Sequence, residues 1–323
     1  MNNARGLKGP LALLVGLLAF QLLAGAVAAQ TDTIRVGNVC SVSPLVYYVA
    51  REEGFLEKHG IDAEKHCFSG GSAGITALMA GGIDAMTATY EHVQKLRAQG
   101  QDVRAVAGLF DRIGYWLMVR QDSPLQSLED LKGKRIGITS AGSLSDMTLR
   151  YFLLQNGIDP VRDVTIIAAG SGATMLAAIE HGRVDAGMVN QPTKAEAEAD
   201  GRVRVLFDPN TQEYAGIVIV MRGDFIEKNP DLVRRFIAAI YEARQAIDAD
   251  PEIAFSALVK TFPESDPEIL RAVVNDYLPF LPQGLYISEE SAANVIASLQ
   301  VIGALPEPVP YEEAVDLSWL PAE

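Results

Sequence analysis

Two hydrophobic patterns alternate between residues 31 and 225. Short apolar runs rich in β-branched residues, such as IRVGNV at 34–39, are followed by segments with apolar residues on one helical face, such as LVYYVAREEGFLEK at 45–58. A loop rich in Ser and Gly joins each pair. This alternation is typical of parallel βαβ units, so we predict an α/β fold with mainly parallel sheets.

The same series of elements occurs twice, at an offset of about 100 residues. IRVGNVCSVSP at 34–44 is matched by KRIGITSAGSL at 134–144, and MAGGIDAM at 79–86 is matched by EHGRVDAGM at 180–188. In both copies the first helix is expected to end before a Gly-Ile-Asp sequence, where Gly suits the left-handed position after a helix. We therefore predict two similar lobes, each a doubly wound, mainly parallel sheet with flanking helices.

The crossings and the C-terminal tail complete the predicted organisation. Residues 111–124 and 213–225 are expected to cross between the lobes, and residues 225–323 show helical periodicity without a further set of strands. We expect this tail to wrap the first lobe. The predicted units are a signal peptide at 1–29, the first part of lobe I at 30–113, lobe II at 114–210, and the return to lobe I with C-terminal helices at 211–323.

The first 29 residues have the features of a cleavable secretory signal. Arg5 and Lys8 give a basic start, residues 11–23 are apolar, and small residues at 24–29 suit cleavage after position 28 or 29. The apolar run is too short to span a bilayer. An N-terminal membrane anchor is the alternative, but nothing hydrophobic continues past position 29. We predict an exported protein that is located in the periplasm.

The net charge argues against two classes of partner. Removing Arg5 and Lys8 from the 27 basic residues leaves 25 against 41 acidic ones, a net charge of about −16. A surface of this charge repels nucleic acid and anionic membranes. A small ligand responds instead to the local field of its own cleft.

The cysteines Cys40 and Cys67 fall at the carboxyl ends of the first two predicted strands, which are expected to be neighbours. Adjacent strands lie about 4.8 Å apart, which a disulfide can bridge, and export permits one. The alternative is two buried free thiols. The four histidines are scattered without metal-ligand spacing, so no metal site and no cofactor are predicted.

Candidate ligand-binding residues lie beyond the carboxyl ends of the strands, where open α/β sheets bind ligands. Helix N-termini there present free amide N–H groups and the positive end of the helix dipole, which suits an anion. Simple capping without a ligand is the alternative. The first helix of the second copy is predicted at 146–155. The expected N-cap residues are Ser43, Ser72, Ser145 and Ser171.

Aromatic and charged residues near the crossings refine the expected ligand. The candidates for cleft walls are Tyr47, Tyr90, Tyr115 and Tyr214. Arg112 is placed to bind a carboxylate, whereas Glu91 and Asp111 would favour an amine or a protonated pyrimidine. A surface ion pair between Asp111 and Arg112 is the alternative. We expect a small organic anion, with a carboxylate preferred over a sulfonate.

The chain shows no catalytic apparatus in its motifs. It has no P-loop and no G-x-G-x-x-G sequence. A nucleophile paired with a base, which covalent catalysis requires, is not indicated. We predict a binding protein and not an enzyme.

Four stretches together carry a family resemblance: VGNVCSVSPLVYYVAREEGFLEKHGID, SGGSAGITALMAGGIDAMTATYE, DLKGKRIGITSAGS and LAAIEHGRVDAGMVNQP. They resemble the periplasmic solute-binding proteins of ABC importers, in the branch for nitrate, taurine, alkanesulfonates and thiamine-pyrimidine precursors. The resemblance covers residues 31–225 and implies a type II-like two-lobe fold that closes about a hinge. The ligand-binding positions it implies are Ser41, Ser43, Gly71, Ser72, Tyr90, Glu91, Ser140, Gly142, Ser143 and Asn190, with Gln191 in the same loop as Asn190.

The resemblance also implies a function. A monomeric binding protein would capture a small molecule and deliver it to an ABC permease with its cytoplasmic ATPase. Glu91 stands where sulfonate binders have small neutral residues, which disfavours a sulfonate. One alternative is a sensory partner of a receptor. Another is a pyrimidine-forming enzyme, which the signal peptide and the lack of that enzyme's cysteine run disfavour.

Overall fold

The computed structural model describes Met1 and residues 31–321. Apart from Met1, the predicted signal peptide lies outside the described residues. From Asp32 onward the chain forms one unit with two five-stranded sheets. Among the helices that are described, none is long and apolar enough to cross a membrane.

The two sheets have the same strand arrangement. The first has the order β2-β1-β3-β10-β4, with β1 (Asp32–Val39), β2 (Ile61–Phe68), β3 (Ala85–Ala88), β4 (Val103–Phe110) and β10 (Ile217–Arg222). The second has the order β7-β6-β8-β5-β9, with β5 (Tyr115–Arg120), β6 (Arg135–Ile138), β7 (Thr165–Ala168), β8 (Ala186–Asn190) and β9 (Val203–Phe207). We use lobe I and lobe II for the parts of the chain built on these sheets. The predicted α/β fold with two repeated lobes is confirmed.

The lobes exchange one strand each. Strands β1, β2 and β3 pair in parallel, as do β6, β7 and β8. The antiparallel strand of the second sheet is β5, which follows directly after β4 of the first. The antiparallel strand of the first sheet is β10, which follows β9 of the second. Each crossing therefore ends in a strand that hydrogen-bonds into the sheet it has entered.

Two glycines at matching positions explain part of the sequence repeat. Gly37 lies in β1 and Gly137 in β6, and each strand is the second in its sheet order. An added Cβ would lie 2.7 Å from Met86 Sδ at Gly37 and 2.6 Å from Met175 Sδ at Gly137. A side chain at either position would force the neighbouring methionine to shift, because real Cβ atoms do not approach other atoms so closely. Close packing of the core therefore favours glycine in both copies.

The helices lie close to their predicted positions, with one break. Those before β10 are α1 (Leu45–Glu52), α2 (Phe55–Lys58), α3 (Gly71–Met79), α4 (Tyr90–Ala98), α5 (Leu144–Gln155), α6 (Ala173–Glu180) and α7 (Thr193–Ala199). The segment predicted as one helix at 45–58 is two, because Gly54 adopts a positive φ of 81° and ends the first. Helix α5 begins two residues earlier than expected.

The tail is helical, as predicted, but part of it contacts both lobes. Its helices are α8 (Gly223–Lys228), α9 (Pro230–Ala249), α10 (Glu252–Thr261), α11 (Pro267–Tyr277), α12 (Glu289–Val301) and α13 (Tyr311–Ala314). Helices α9 and α10 pack against α1 of lobe I, and α9 buries Phe236, Ile237 and Ile240. In contrast, α12 packs against α4 of lobe I and α5 of lobe II, and α11 contacts α7. Helices α9 and α10 thus lie against lobe I as expected, whereas α12 buries its apolar face between both lobes.

A disulfide joins the ends of the first two strands. Strands β1 and β2 are parallel neighbours, with Asn38 opposite Cys67. Cys40 follows the last residue of β1, and the Cα atoms of Cys40 and Cys67 lie 5.7 Å apart. The structure pairs their sulfur atoms. The bond links the two loops that lead into α1 and α3.

We expect the double substitution Cys40→Ser, Cys67→Ser to lower the free energy of unfolding. The bond closes a loop with a sequence separation of 27 residues. Chain entropy assigns about 3.5 kcal/mol to a loop of this length. Urea unfolding of the oxidised protein and the double variant measures the difference. As a control, thiol labelling of the denatured, unreduced wild type should find no reactive group, and two reactive thiols would contradict the pairing.

Candidate functional site

A cavity lies between the lobes, beyond the carboxyl ends of the parallel strands. Its empty space is about 450 Å³ with its mouth included. From lobe I it is lined by Ser41, Ser43, Gly71, Thr87, Thr89 and His92. From β5 and lobe II it is lined by Tyr115, Thr139, Ser143 and Leu144. The remaining lining residues are apolar: Val39, Pro44, Ala88, Ile113 and Ile217.

Four helices begin at this cavity. Lining residues stand at the start of each: Pro44 for α1, Gly71 for α3, Thr89 for α4 and Ser143 for α5. Three of these helices are in lobe I and one is in lobe II. Their N-termini place the positive ends of four helix dipoles around one small volume.

The first-turn amides differ in their availability. The N–H of Tyr90 at the start of α4 donates to Ala215 O at 3.2 Å. Within the described chain, residues 45–47 of α1 and 71–73 of α3 have no acceptor for their amides. These amides are ordinary orphan donors of helix N-termini. They leave α1 and α3 as the helices best able to bind an anion.

Among the described residues that line the cavity, none is an Asp, Glu, Lys or Arg. The polar lining consists of hydroxyl groups and one imidazole. Within lobe II, Thr139 Oγ1 lies 2.8 Å from Ser143 Oγ and 2.9 Å from Ser145 Oγ. Ser145 also accepts a hydrogen bond from Thr139 N at 3.0 Å. The site therefore offers hydrogen bonds and helix dipoles in place of a charged side chain.

His92 is a candidate ligand contact that the sequence analysis missed. Its buried Nε2 atom has no hydrogen-bond partner among the described residues. Burial, and to a lesser extent Lys95, lowers the pKa of His92 to about 3, so the imidazole is neutral near pH 7. An added Cβ at Gly71 would lie 2.9 Å from this Nε2, so glycine leaves the space in front of the imidazole open. A single histidine forms no sequence motif with a recognisable spacing, so only the three-dimensional structure identifies His92 as a candidate ligand contact.

Three hydrogen bonds join the lobes around the cavity. Val42 N donates to Gln191 O at 3.2 Å. Ser72 Oγ donates to Ala141 O at 3.0 Å, and Lys95 Nζ donates to Gly142 O at 3.0 Å. The loop before α5 is thus held from lobe I by two side chains. The structure shows the lobes in a closed arrangement.

The four predicted serines lie at four different places relative to the cavity. Ser43 lines the cavity, whereas Ser145 is buried behind it and bonds to Thr139. Ser72 lies at the rim and bonds across the cleft. Ser171 does not line the cavity. The N-caps are Pro44, Gly70, Ser143 and Gly172, so the expected capping roles of the four serines are wrong by one or two positions.

Ser140, Gly142, Asn190 and Gln191 also lie where the lobes meet. The side chains of Ser140 and Asn190 bury Oγ and Nδ2 atoms that have no partner in the described chain. An added Cβ at Gly70 would lie 2.5 Å from Ser140 Oγ, so this hydroxyl faces the start of α3. Gly142 and Gln191 contribute their carbonyl groups to the bonds between the lobes.

Of the tyrosines proposed as cleft walls, Tyr115 lines the cavity and the other three do not. Tyr90 is fully buried, and its hydroxyl accepts a hydrogen bond from Gln94 Nε2 at 2.8 Å. Tyr47 is also fully buried, within the lobe I core. Tyr214 lies 3.2 Å from Glu91 Oε1, away from the cavity. These residues face inward because their rings complete the cores on either side of the crossing.

The charged candidates also lie elsewhere. Glu91 is completely buried beside Tyr214 and does not line the cavity. Asp111 and Arg112 line a separate open groove with Phe280, and the Arg112 guanidinium stacks 4.6 Å from that ring. Burial, with Glu213 adding to it and Arg112 opposing, raises the pKa of Asp111 to about 7. Arg112 therefore does not line this cavity, contrary to its expected place as the basic side chain of the cleft.

Comparison with known proteins gives the family and the fold. Residues 43–254 match the model of the family described as NMT1/THI5 like. The chain belongs to this family. The fold is similar to the solved alkanesulfonate-binding protein SsuA from Xanthomonas axonopodis pv. citri bound to MOPS, with a TM-score of 0.75 and 23% identity over 89% of this chain and 99% of that one. The structural similarity to SsuA supports the assignment of the fold and nothing further.

Two relatives resemble the chain over most of its length. YtlA of Bacillus subtilis (strain 168), which is named a binding protein, is 24% identical over 309 residues, 92% of each chain. The riboflavin-binding protein RibY of Chloroflexus aurantiacus is 25% identical over 311 residues, 90% of this chain and 86% of RibY. The family resemblance predicted from the sequence is confirmed.

We expect His92 to lower the stability of the protein in acid. Its pKa falls from an ordinary value of 6.5 to about 3 on folding, so the unfolded chain takes up the proton first. Stability is therefore full above about pH 6.5 and is lost as the pH falls toward 3. The loss between about pH 7.5 and about pH 5 should be about 2 kcal/mol.

Urea unfolding of the wild type and His92→Gln at both pH values measures this loss. The variant should lack the part of the pH dependence that His92 causes. His181→Gln, at an exposed position after α6, is the matched control and should behave as the wild type. Equal pH dependence in the wild type and His92→Gln would contradict a neutral, buried imidazole.

Proposed function

We propose that the protein is the extracytoplasmic solute-binding component of an ABC importer and captures a small organic anion between its lobes. The observation that carries the proposal is the meeting of four helix N-termini at one cavity between two lobes. Membership of a family with binding proteins among the relatives supports a binding role without catalysis. The predicted signal peptide supports export to the periplasm.

The anion is held by neutral groups in this proposal. Amide N–H groups of α1 and α3, together with hydroxyl groups of Ser41 and Ser43, would donate to its oxygen atoms. Each helix N-terminus contributes about 0.3–1 kcal/mol to anion binding, and more where water is excluded. His92 and Tyr115 would contact the organic part of the ligand. A carboxylate and a sulfonate both fit this chemistry.

An uncharged heteroaromatic compound is the second candidate ligand. The lack of any charged side chain among the described cavity residues favours it, since a neutral ring needs no counter-charge. His92 Nε2 and Asn190 Nδ2 are buried atoms without partners, and ring nitrogen and oxygen atoms would pair with them. The relative RibY is named as riboflavin-binding, which agrees with this candidate. A sensory role with the same cavity is the alternative to transport.

Ligand identification tests the two candidates directly. Native mass spectrometry of protein purified without refolding shows the mass of any retained ligand. Calorimetric titration then compares carboxylates, sulfonates including MOPS, nitrate, riboflavin and free pyrimidines. Anion binding that Arg112→Ala leaves unchanged would support the proposal, because Arg112 lies outside the cavity. Binding of heteroaromatic compounds alone would favour the second candidate, and a turnover product would contradict a binding role.

We expect Lys95→Met to weaken ligand binding by about tenfold. The variant removes the hydrogen bond from Lys95 Nζ to Gly142 O, which joins the lobes and stabilises only the closed arrangement. Calorimetric titration measures the affinity, and small-angle scattering measures whether ligand still reduces the radius of gyration.

Lys132→Met is the matched control for this substitution, because Lys132 is exposed and its replacement removes the same positive charge. It should bind as the wild type does. Equal affinities for the wild type and Lys95→Met, or no change in radius on saturation of the wild type, would contradict ligand-driven closure.

A further inference from the structure

A buried chain of hydrogen bonds lies behind the cavity, at the second crossing. Thr89 Oγ1 bonds to Glu91 Oε2, and Glu91 Oε1 lies 3.2 Å from the hydroxyl oxygen of Tyr214. That hydroxyl lies 3.1 Å from Ser298 Oγ, which donates to Val295 O at 2.7 Å. The chain links the start of α4, the crossing segment and helix α12. All its side chains are buried.

The four contacts require four protons. Thr89, Tyr214 and Ser298 have one hydroxyl proton each. Thr89 donates to Glu91, and Ser298 donates to Val295 O. The single proton of Tyr214 then serves either Glu91 or Ser298. With an ionised Glu91, one of these two contacts would place two oxygen atoms together without a proton between them.

We propose that Glu91 is held as a neutral carboxylic acid that donates its proton to Tyr214 and thereby positions the second crossing. Tyr214 then donates to Ser298, Ser298 to Val295 O and Thr89 to Glu91, so every contact has its proton. Glu91 is a positioning residue in this arrangement, because it does not line the cavity.

The surroundings of Glu91 favour the neutral form. The residue is completely buried, and no Lys, Arg or His of the described chain lies within 4 Å of its carboxyl group. Burial is the largest effect and raises the pKa of Glu91, with Lys95, Thr89 and Tyr214 opposing and Asp146 adding to it. The titratable groups that face the network are Lys95 on α4, Asp146 and Tyr151 on α5, Tyr115 on β5 and Tyr214 on the crossing.

The Glu91 network lies where the main chain of the second crossing is hydrogen-bonded to two helices, so the Glu91 proton helps to position that crossing. Tyr90 N donates to Ala215 O, and Ala215 N donates to Ser291 O, each at 3.2 Å. The main chain of the crossing is thus bonded to α4 and α12 next to the Glu91 network. Helix α12 also packs against α5 of lobe II. The Glu91 network therefore connects the crossing to α4 and, through α12, to a helix that packs against lobe II.

Glu91→Gln tests the proton directly, because its amide NH₂ group can donate to Tyr214 at any pH. The pKa of Glu91 is raised on folding, so its stabilisation is full below the unfolded value of 4.5 and is lost as the pH rises through the folded value. Within that window, the folded-to-unfolded ratio of the wild type should fall about tenfold per pH unit relative to Glu91→Gln. Urea unfolding without ligand measures the ratio.

Glu312→Gln is the matched control, because Glu312 is exposed on α13 and loses the same charge. Its pH dependence should equal that of the wild type. If Glu91→Gln also follows the wild type, Glu91 is ionised and the proposal fails. The measurement needs no ligand, so its outcome is independent of the proposed transport function.

Infrared spectroscopy gives a second readout if Glu91→Gln does not fold. In an Asp111→Asn background, which removes the other carboxyl group with a strongly raised pKa, the folded protein should keep the C=O stretch of an un-ionised carboxylic acid above the pH at which exposed Glu residues ionise. Ser298→Ala frees the Tyr214 proton for Glu91, so in the same background this band should disappear at a lower pH than in Asp111→Asn alone. No such band in Asp111→Asn, or an unchanged midpoint when Ser298→Ala is added, would overturn the proposal.

Discussion

The exchange of one strand between the two sheets is the constraint on which the rest of the structure depends. Strand β5 enters the second sheet directly after β4, and β10 returns to the first after β9. Because the backbone of an inner strand must satisfy its hydrogen bonds on both sides, each exchanged strand is anchored in the lobe that it enters. The two short crossings thus hold two sheets side by side with their loops facing one cavity.

The character of the cavity follows from that arrangement. Parallel strands end where the next helices begin, so the lobes contribute helix N-termini and small polar residues rather than long charged side chains. Ser43, Gly71 and Ser143 lie at such helix starts, and Gly71 leaves His92 Nε2 uncovered. Helix dipoles provide a positive potential without the desolvation cost of a buried cation. This explains how a strongly acidic protein could attract an anion to one place.

The buried polar groups behind the cavity divide into two kinds. Atoms such as His92 Nε2 and Ser140 Oγ have no partner in the described chain and lie where the lobes meet. Glu91 and Tyr214 have their hydrogen bonds satisfied by each other and by α12. The first kind is available to a ligand, whereas the second fixes the geometry of the crossing. A carboxyl group and three hydroxyl groups thus complete the hinge, where apolar packing alone would not specify one arrangement.

The sequence by itself determined the repeated α/β lobes, the two crossings and the loops that form the cavity, because strand and helix periodicity and Gly positions are local signals. Three of the residues that it named, Ser43, Gly71 and Ser143, line the cavity. Only the tertiary structure decided which side chains of those loops face the cavity. Glu91 and His92 are neighbours on α4, yet one faces Tyr214 and the other the cavity, because successive residues on a helix point about 100° apart. Arg112 and the contacts of α12 were likewise settled by packing between elements distant in sequence, which no local pattern encodes.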